Sequence, residues 1–383
     1  MKLALVTETY PPEVNGVAMT LQRLMRGLAV RGHQIEIVRP RQKGAQERDP
    51  ADPEGLRHML VPSLPLPFYS ELRLGLPLYF RLKRRWRAQR PDVVHIATEG
   101  GLGGAALFAA RKLGLPVSSS FHTNFQQYTQ QYMFRAMHDI ALAYLRGFHN
   151  RAACTLAPTS QARAELEAQG FQRVGVLSRG VDGRLFDPAR RCEELRRQWG
   201  ADADAPVFLY VGRLAVEKNI ELAVKAFLRA QAAEPRARFV LVGDGPARAD
   251  LAKRFPQFHF AGMRRGADLA AHYASGDVFL FPSTTETFGN VVTEALASGL
   301  VVLCYDYAAG RQHIRNGANG VLAPFGDAAA FVSVAETLMH RRAEWPAWRM
   351  AARTTAAEIT WERIFESFEE TLERVRGGAA PRH

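Results

Sequence analysis

Two doubly wound parallel α/β sheets in tandem are the architecture this sequence predicts. Short apolar, β-branched runs alternate with longer amphipathic stretches along the chain, the pattern of parallel strands joined by helices. The alternation pauses at a polar, breaker-containing step, Ala201-Asp202-Ala203-Asp204-Ala205-Pro206, and then starts afresh. The length, 383 residues, suits two domains of ordinary size.

In the first half, Leu3–Thr7 reads as a strand, Met19–Arg31 as a helix ended by Gly32, and Gln34–Arg39 as the next strand. Val93–Thr98 is a strand, Ala105–Leu113 a helix closed by Gly114, and Pro116–Phe121 another strand. After the polar step come the strand Val207–Val211, a helix over 220–232 and the strand Ala237–Val242. The strand Val278–Phe281, the helix Val291–Ala297 and the strand Val301–Tyr305 follow. A last helix spans about 361–376, beyond the second repeat, and 377–383 reads as a frayed tail. These readings place a first domain at 1–186, a second at 187–357 and a separate C-terminal helix in 358–383.

Composition narrows the class. Apolar residues make up 47% of the chain, and no run approaches the ~18 apolar residues of a membrane span. Met1–Val6 is too short and too soon broken by Pro11-Pro12 to be a signal peptide, so a buried first strand is expected. Cys154, Cys192 and Cys304 are odd in number and far apart, which suggests neither a disulfide framework nor a zinc site and points to the cytoplasm. The net charge of +12 suits phosphorylated ligands, anionic lipid or nucleic acid alike. No nucleic-acid recognition module accompanies it.

The segment with most chemistry runs from Phe281 to Gly299. Phe281-Pro282-Ser283 ends a buried strand, and Thr284-Thr285-Glu286-Thr287-Phe288-Gly289-Asn290 leads into a helix capped by Gly299. In open α/β sheets ligands bind beyond the strand carboxyl ends. A helix N-terminus there presents free N–H groups to a diphosphate, and Gly289 allows close approach. Glu286 in the loop and Glu294 one turn into the helix are placed to hold hydroxyl pairs. The plainer alternative is two incidental acids on a loop and a surface helix.

On these residues the chain resembles the retaining glycosyltransferases of family 4, whose fold is GT-B, and the GDP-mannose-dependent α-mannosyltransferases among them most. Glu286 and Glu294 match the family's Glu-x7-Glu signature, and the resemblance covers nearly the whole chain. It implies two Rossmann-like domains facing across a cleft, with the final helix crossing back to the first domain and Trp361 helping to anchor it. It assigns Glu286 to the transferred sugar, Glu294 to the ribose, and the backbone of Phe288, Gly289, Asn290 and Val291 to the donor phosphates, with Thr287 also counted among the donor-binding residues. After Val207–Val211, Gly212-Arg213-Leu214-Ala215-Val216-Glu217-Lys218 matches the family's Arg-x4-Lys pattern. Arg213 and Lys218 are thereby expected to neutralise the leaving diphosphate in place of a metal ion. No cofactor or metal is expected, since Asp202-Ala203-Asp204 lies in a connector and not at a ligand edge.

In the first half the resemblance puts Gly16, within Glu13-Val14-Asn15-Gly16-Val17, near the donor diphosphate, and His122, in Phe121-His122-Thr123-Asn124, against the donor sugar. Glu99 and Asn124 are assigned to the acceptor side, while His95 is read as core. No nucleophilic carboxylate stands out for the far face of the sugar, so front-side attack with retention is the implied mechanism. The donor is GDP-mannose or a UDP-sugar such as UDP-glucose, and the acceptor a lipid or glycan. Residues 64–90 set apolar groups among Arg73, Arg81, Lys83, Arg84, Arg85, Arg87 and Arg90. That mixture suits an anionic membrane surface and equally a solvated helix.

A rival reading remains. Gly101-Leu102-Gly103-Gly104-Ala105-Ala106 fits the dinucleotide pattern G-x-G-x-x-A and would make the protein an NAD-dependent oxidoreductase. That motif expects an acid about 20 residues on, and no Asp or Glu lies between Gly101 and His138.

Overall fold

The structure, a computed structural model, describes residues 1–13, 15–42, 50–66, 69–122 and 135–378. The chain divides into two compact units, Met1–Ser178 with Glu362–His383, and Arg179–Trp361. The division falls eight residues before the sequence-based boundary. The reason is local: Val181 donates its N–H to the Ile359 carbonyl at 2.8 Å and bridges to Thr360, which draws the segment from Arg179 onward into the second unit. The helix Trp361–Arg376 groups with the first unit from Glu362 on.

Among the described residues, the first unit is built on seven parallel strands. They are β1 (Lys2–Val6), β2 (Gln34–Pro40), β3 (Leu56–Val61), β6 (Val93–Ile96), β7 (Val117–Ser120), β8 (Cys154–Ala157) and β9 (Val174–Val176), ordered β3-β2-β1-β6-β7-β8-β9. An antiparallel hairpin, β4 (Ser63–Leu66) and β5 (Tyr69–Gly75), precedes the helix Tyr79–Ala88. Within residues 64–90, weighed above as membrane surface or solvated helix, the stretch Tyr69–Gly75 is therefore strand. Leu72 and Leu74 alternate with Arg73, and Gly75 and Pro77 delay the helix. That helix buries Leu82 and Trp86, four apart on one face, and exposes Phe80, Arg81, Arg84 and Arg87. Residues 361–376 cover the same unit: Phe368 is fully buried with its ring edge-on to His95, and Glu369 pairs with Arg31 and His33.

The second unit repeats the plan with six parallel strands, β10 (Val207–Val211), β11 (Arg238–Val242), β12 (His259–Gly262), β13 (Val278–Phe281), β14 (Val301–Tyr305) and β15 (Val321–Ala323). Their order is β12-β11-β10-β13-β14-β15. Strand residues here are buried on both faces, as a doubly wound parallel sheet requires. Phe208, Phe227, Phe239 and Phe258 interlock on one side of the sheet. In both sheets the winding reverses beside the first strand, at β1/β6 and β10/β13, and that reversal is where such folds open a crevice for ligands. No described helix is long and apolar enough to cross a membrane.

Candidate active site

The turns after β10 and β13 meet at the reversal of the second sheet. Gly212 leaves β10 with φ of +154°, and Lys218 ends a short 3-10 turn, followed by Asn219 in the left-handed region at φ +57°. Asn219 donates to the Pro282 carbonyl at 3.3 Å and Thr285 donates to the Glu217 carbonyl at 3.0 Å. These two bonds fasten the turns together and bring Lys218 Nζ to 2.6 Å from Glu286 Oε1. Ser283 Oγ donates to the same oxygen at 2.7 Å, and Tyr307 donates its hydroxyl proton to the Glu286 carbonyl at 2.7 Å. One edge of the Glu286 carboxylate is thus committed to protein donors. Among the described residues no donor is recorded for Oε2.

Arg213 does not join this pair. Its side chain is 65% exposed and turns to Glu217 Oε1 at 3.1 Å.

Beyond Glu286, Thr287 is partly exposed and Phe288 is buried, its carbonyl accepting from the Ala309 N–H at 2.8 Å. Gly289 sits at φ +93°, a conformation in which a side chain is strained, and serves as N-cap of the helix Asn290–Ala297. It offers no capping side chain, so the first-turn N–H groups, those of Asn290 and Val291 among them, lack the usual cap and keep the positive end of the helix dipole open. Glu294, one turn along, accepts from the Tyr273 hydroxyl at 3.0 Å. An edge of Glu294 reaches solvent, yet burial of its carboxyl pushes the pKa up to about 7, with the tyrosine bond pulling partly back.

In the first unit, Gly16 opens the helix Gly16–Val30, whose N-cap Asn15 accepts from Ala18 N–H at 2.8 Å. The preceding turn is organised by Glu13, which accepts from Thr9, Asn15 and Gln42. His122 is half-buried just past β7. Glu99 is braced inward: His149 Nε2 lies 3.0 Å from its Oε1, Ser119 Oγ lies 2.9 Å from the other ring nitrogen, and Tyr144 donates to the Glu99 carbonyl at 2.6 Å. His95 is buried between the hydroxyls of Ser118 and Ser120. Asn124 lies outside the described residues.

The comparisons with known proteins bear on the whole chain. Residues 14–184 match the family described as Glycosyltransferase Family 4, and 205–341 that described as Glycosyl transferases group 1. A GDP-mannose-dependent alpha-mannosyltransferase of Mycobacterium tuberculosis is 36% identical over 377 residues, covering 98% of this chain and 97% of the relative. The chain belongs to glycosyltransferase family 4. This glycosyltransferase is also 28% identical to an alpha-monoglucosyldiacylglycerol synthase of Acholeplasma laidlawii, over 80% of the chain and 81% of the relative. In fold it is like Anabaena HepE solved with UDP and glucose, with a TM-score of 0.72, 20% identity, and coverage of 97% of this chain and 99% of that one. The GT-B class follows from that likeness and from the two parallel sheets.

The oxidoreductase reading is corrected by the same structure. The helix Gly101–Lys112 does open with the glycines of the dinucleotide pattern, but its N-terminus is filled from within. Glu8 accepts from the Leu102 N–H at 3.1 Å and the Gly75 N–H at 2.6 Å. A Cβ at Gly100 would lie 2.5 Å from Glu8 Oε1. A carboxylate occupies the place of the pyrophosphate, and burial raises its pKa. In the glycosyltransferase's second unit, Asp202 serves as a turn acid, its Oδ1 accepting from the N–H groups of Asp204 and Ala205.

Two features escaped the sequence reading. Gly243-Asp244-Gly245 follows β11 and folds against the turn after β10. A Cβ on Gly243 would stand 2.0 Å from the Gly212 carbonyl oxygen, and Leu214 N–H donates to the Asp244 carbonyl at 2.9 Å. The doubled glycine after a strand was the available signal. The other is Arg179, a buried cation beside Phe288 and Asn290, whose only sequence mark is the glycine after it.

Proposed function

We propose that this glycosyltransferase moves mannose from GDP-mannose to a lipid or glycan acceptor, with retention at the anomeric carbon and without a metal ion. The observation that carries the site is the Lys218–Glu286 pair next to an uncapped helix N-terminus at the sheet reversal. In this reading the diphosphate lies against the N–H groups from Phe288 to Val291, with Lys218 and Arg213 supplying cations. Arg213 reaches it by leaving Glu217, which its exposure permits. Glu286 Oε2 accepts from a sugar hydroxyl. Glu294, whose buried carboxyl holds its proton to higher pH than usual, accepts from the ribose diol. The acceptor attacks from the face the nucleotide leaves, and the diphosphate takes its proton. By the family resemblance, Gly16 and His122 of the first unit are assigned to the donor and Glu99 to the acceptor. The M. tuberculosis relative supports GDP-mannose. A UDP-hexose is the second reading, favoured by the HepE complex.

Thermal melting with GDP, UDP and GDP-mannose in the presence of a chelator tests the donor. A ligand at 100 times its Kd adds about 2.7 kcal/mol to stability, so GDP and GDP-mannose should raise the melting temperature by several degrees. Stabilisation by UDP alone would move the assignment to a UDP-sugar, and stabilisation only when a divalent ion is restored would end the metal-free reading.

We also propose that the acceptor lies at an anionic membrane. The synthase relative is named for a diacylglycerol product. On the first unit, Phe80 stands 83% exposed among Arg81, Arg84 and Arg87. Alongside lies a groove of about 700 Å³ walled by Pro77, Tyr79 and Phe108, with Arg111 and Lys112 at its side. Apolar wedges beside cations are what an anionic interface retains. The protein should co-sediment with phosphatidylglycerol vesicles at low salt and release at high salt. Equal binding to phosphatidylcholine, or no binding, would remove the membrane from the scheme.

A further inference from the structure

Where the chain enters the second unit, Ser178-Arg179-Gly180-Val181, it buries a charge whose match is missing. Gly180 leaves no room for a side chain, since a Cβ there would lie 2.6 Å from the Trp361 backbone nitrogen. That close approach, with the Val181 bond to Ile359, pins the residue before it. Arg179 is 4% exposed. Its guanidinium lies 5.6 Å from the Phe288 ring centroid, and Nη1 donates a long bond, 3.4 Å, to Asn290 Oδ1. Nη2 is buried and makes no hydrogen bond among the described residues. Among the described residues no carboxylate is recorded in ion-pair contact with it. The acid that acts on it electrostatically is Glu286, already paired with Lys218 at 2.6 Å.

The charge count follows. Lys218 and Glu286 cancel, and Arg213 is matched by Glu217. Among the described residues, Arg179 is the one of these three cations without an ion-pair partner, packed against the loop and first residue of the helix Asn290–Ala297. Burial pulls its pKa down and Glu286 pulls partly back, to about 10, so it stays charged at neutral pH. A buried cation with an unused donor is costly unless something anionic offsets it.

We propose that Arg179 is a third cation of the donor site, its charge balancing the diphosphate of the nucleotide-sugar. The inference rests on the donor reading above. When the bond from the sugar to the diphosphate breaks, its electron pair stays on the phosphate oxygen, which gains a full negative charge. A fixed cation behind the helix N-terminus stabilises that charge through a low-dielectric wall, without touching it. Arg179 is in this sense a positioning residue for the leaving group, not a catalytic one.

The test is calorimetry with the full chain and two probes, a nucleoside diphosphate and its parent nucleoside, using the base the wild type prefers. Arg179→Met removes charge and keeps bulk. It should weaken the diphosphate about tenfold or more, about 1.4 kcal/mol, and leave the nucleoside within about threefold. Arg179→Lys should hold both within about threefold, since it restores the charge. Equal diphosphate binding by Arg179→Met and wild type, or equal losses for both probes, would make Arg179 structural and overturn the proposal. If Arg179→Met does not fold, Arg179→Lys decides alone: folded but with the diphosphate tenfold weaker, it refutes a role through charge. A wild type that binds neither diphosphate would instead bring down the donor reading itself.

Discussion

Lys218→Ala is expected to lower kcat about 10³-fold while the melting temperature moves by only a few degrees. The rate effect is of the size seen when a preorganised group facing developing charge is removed, about 3–4 kcal/mol. Lys218 ends the turn after β10 and is held to the turn after β13 by bonds that do not use its side chain, those of Asn219 and Thr285. Those bonds survive truncation, which is why stability is expected to suffer little. The Glu286 carboxylate loses its cation but keeps Ser283, and at 17% side-chain exposure it keeps some water. The loss should fall on kcat more than on KM, because the ammonium matters most once the diphosphate begins to leave. Steady-state kinetics beside a melting curve read both quantities. A folded variant with kcat within tenfold of wild type would take Lys218 out of the reaction.

Glu286→Gln is expected to lower kcat/KM for the donor by roughly 10²-fold and to blur its choice of sugar. Oε1 of Glu286 faces two donors, Lys218 Nζ and Ser283 Oγ. An amide there must turn its oxygen to those donors, because its NH2 group would oppose an ammonium. The NH2 then points where Oε2 was, offering a donor to a sugar hydroxyl that had a carboxylate acceptor. A hydrogen bond to a charged group contributes roughly 1.5–3 kcal/mol, and a reversed polarity forfeits it. Competition between two donor sugars differing at one hydroxyl is the measurement. Unchanged discrimination with an unchanged rate would put the sugar elsewhere.

How far the sequence could be read depended on the range of the interaction. Glu286, Gly289 and Glu294 were legible because strand, turn and helix follow within about 20 residues, and the strand end says which edge they occupy. Lys218 was legible for the same reason, one strand away. Its contact with Glu286 crosses 68 positions and came only from the fold. Arg213 shows the limit of a pattern. The spacing put it in the turn after β10, where it lies, but the direction of an exposed guanidinium is set by Glu217, four residues on. Arg179 was invisible, since its burial depends on Gly180 meeting Trp361 across the whole second unit. The hairpin Ser63–Gly75 was lost in a basic, leucine-containing run whose two-residue alternation is short. The dinucleotide-like glycines misled because what disqualifies them, Glu8, lies 94 residues from Leu102.

Glu8 has a bearing on how such tandem chains diverge. Both sheets have the winding of a nucleotide-binding frame, and after the first strand of one a single acid has become a permanent internal ligand. Gly100, just ahead of the dinucleotide-like glycines, makes way here for the Glu8 side chain. One loop mouth of such a frame can therefore be closed without refolding it, by an anion the chain carries itself. Anyone wishing to graft a second nucleotide onto the first half would start by vacating position 8, and would find the glycines already in place.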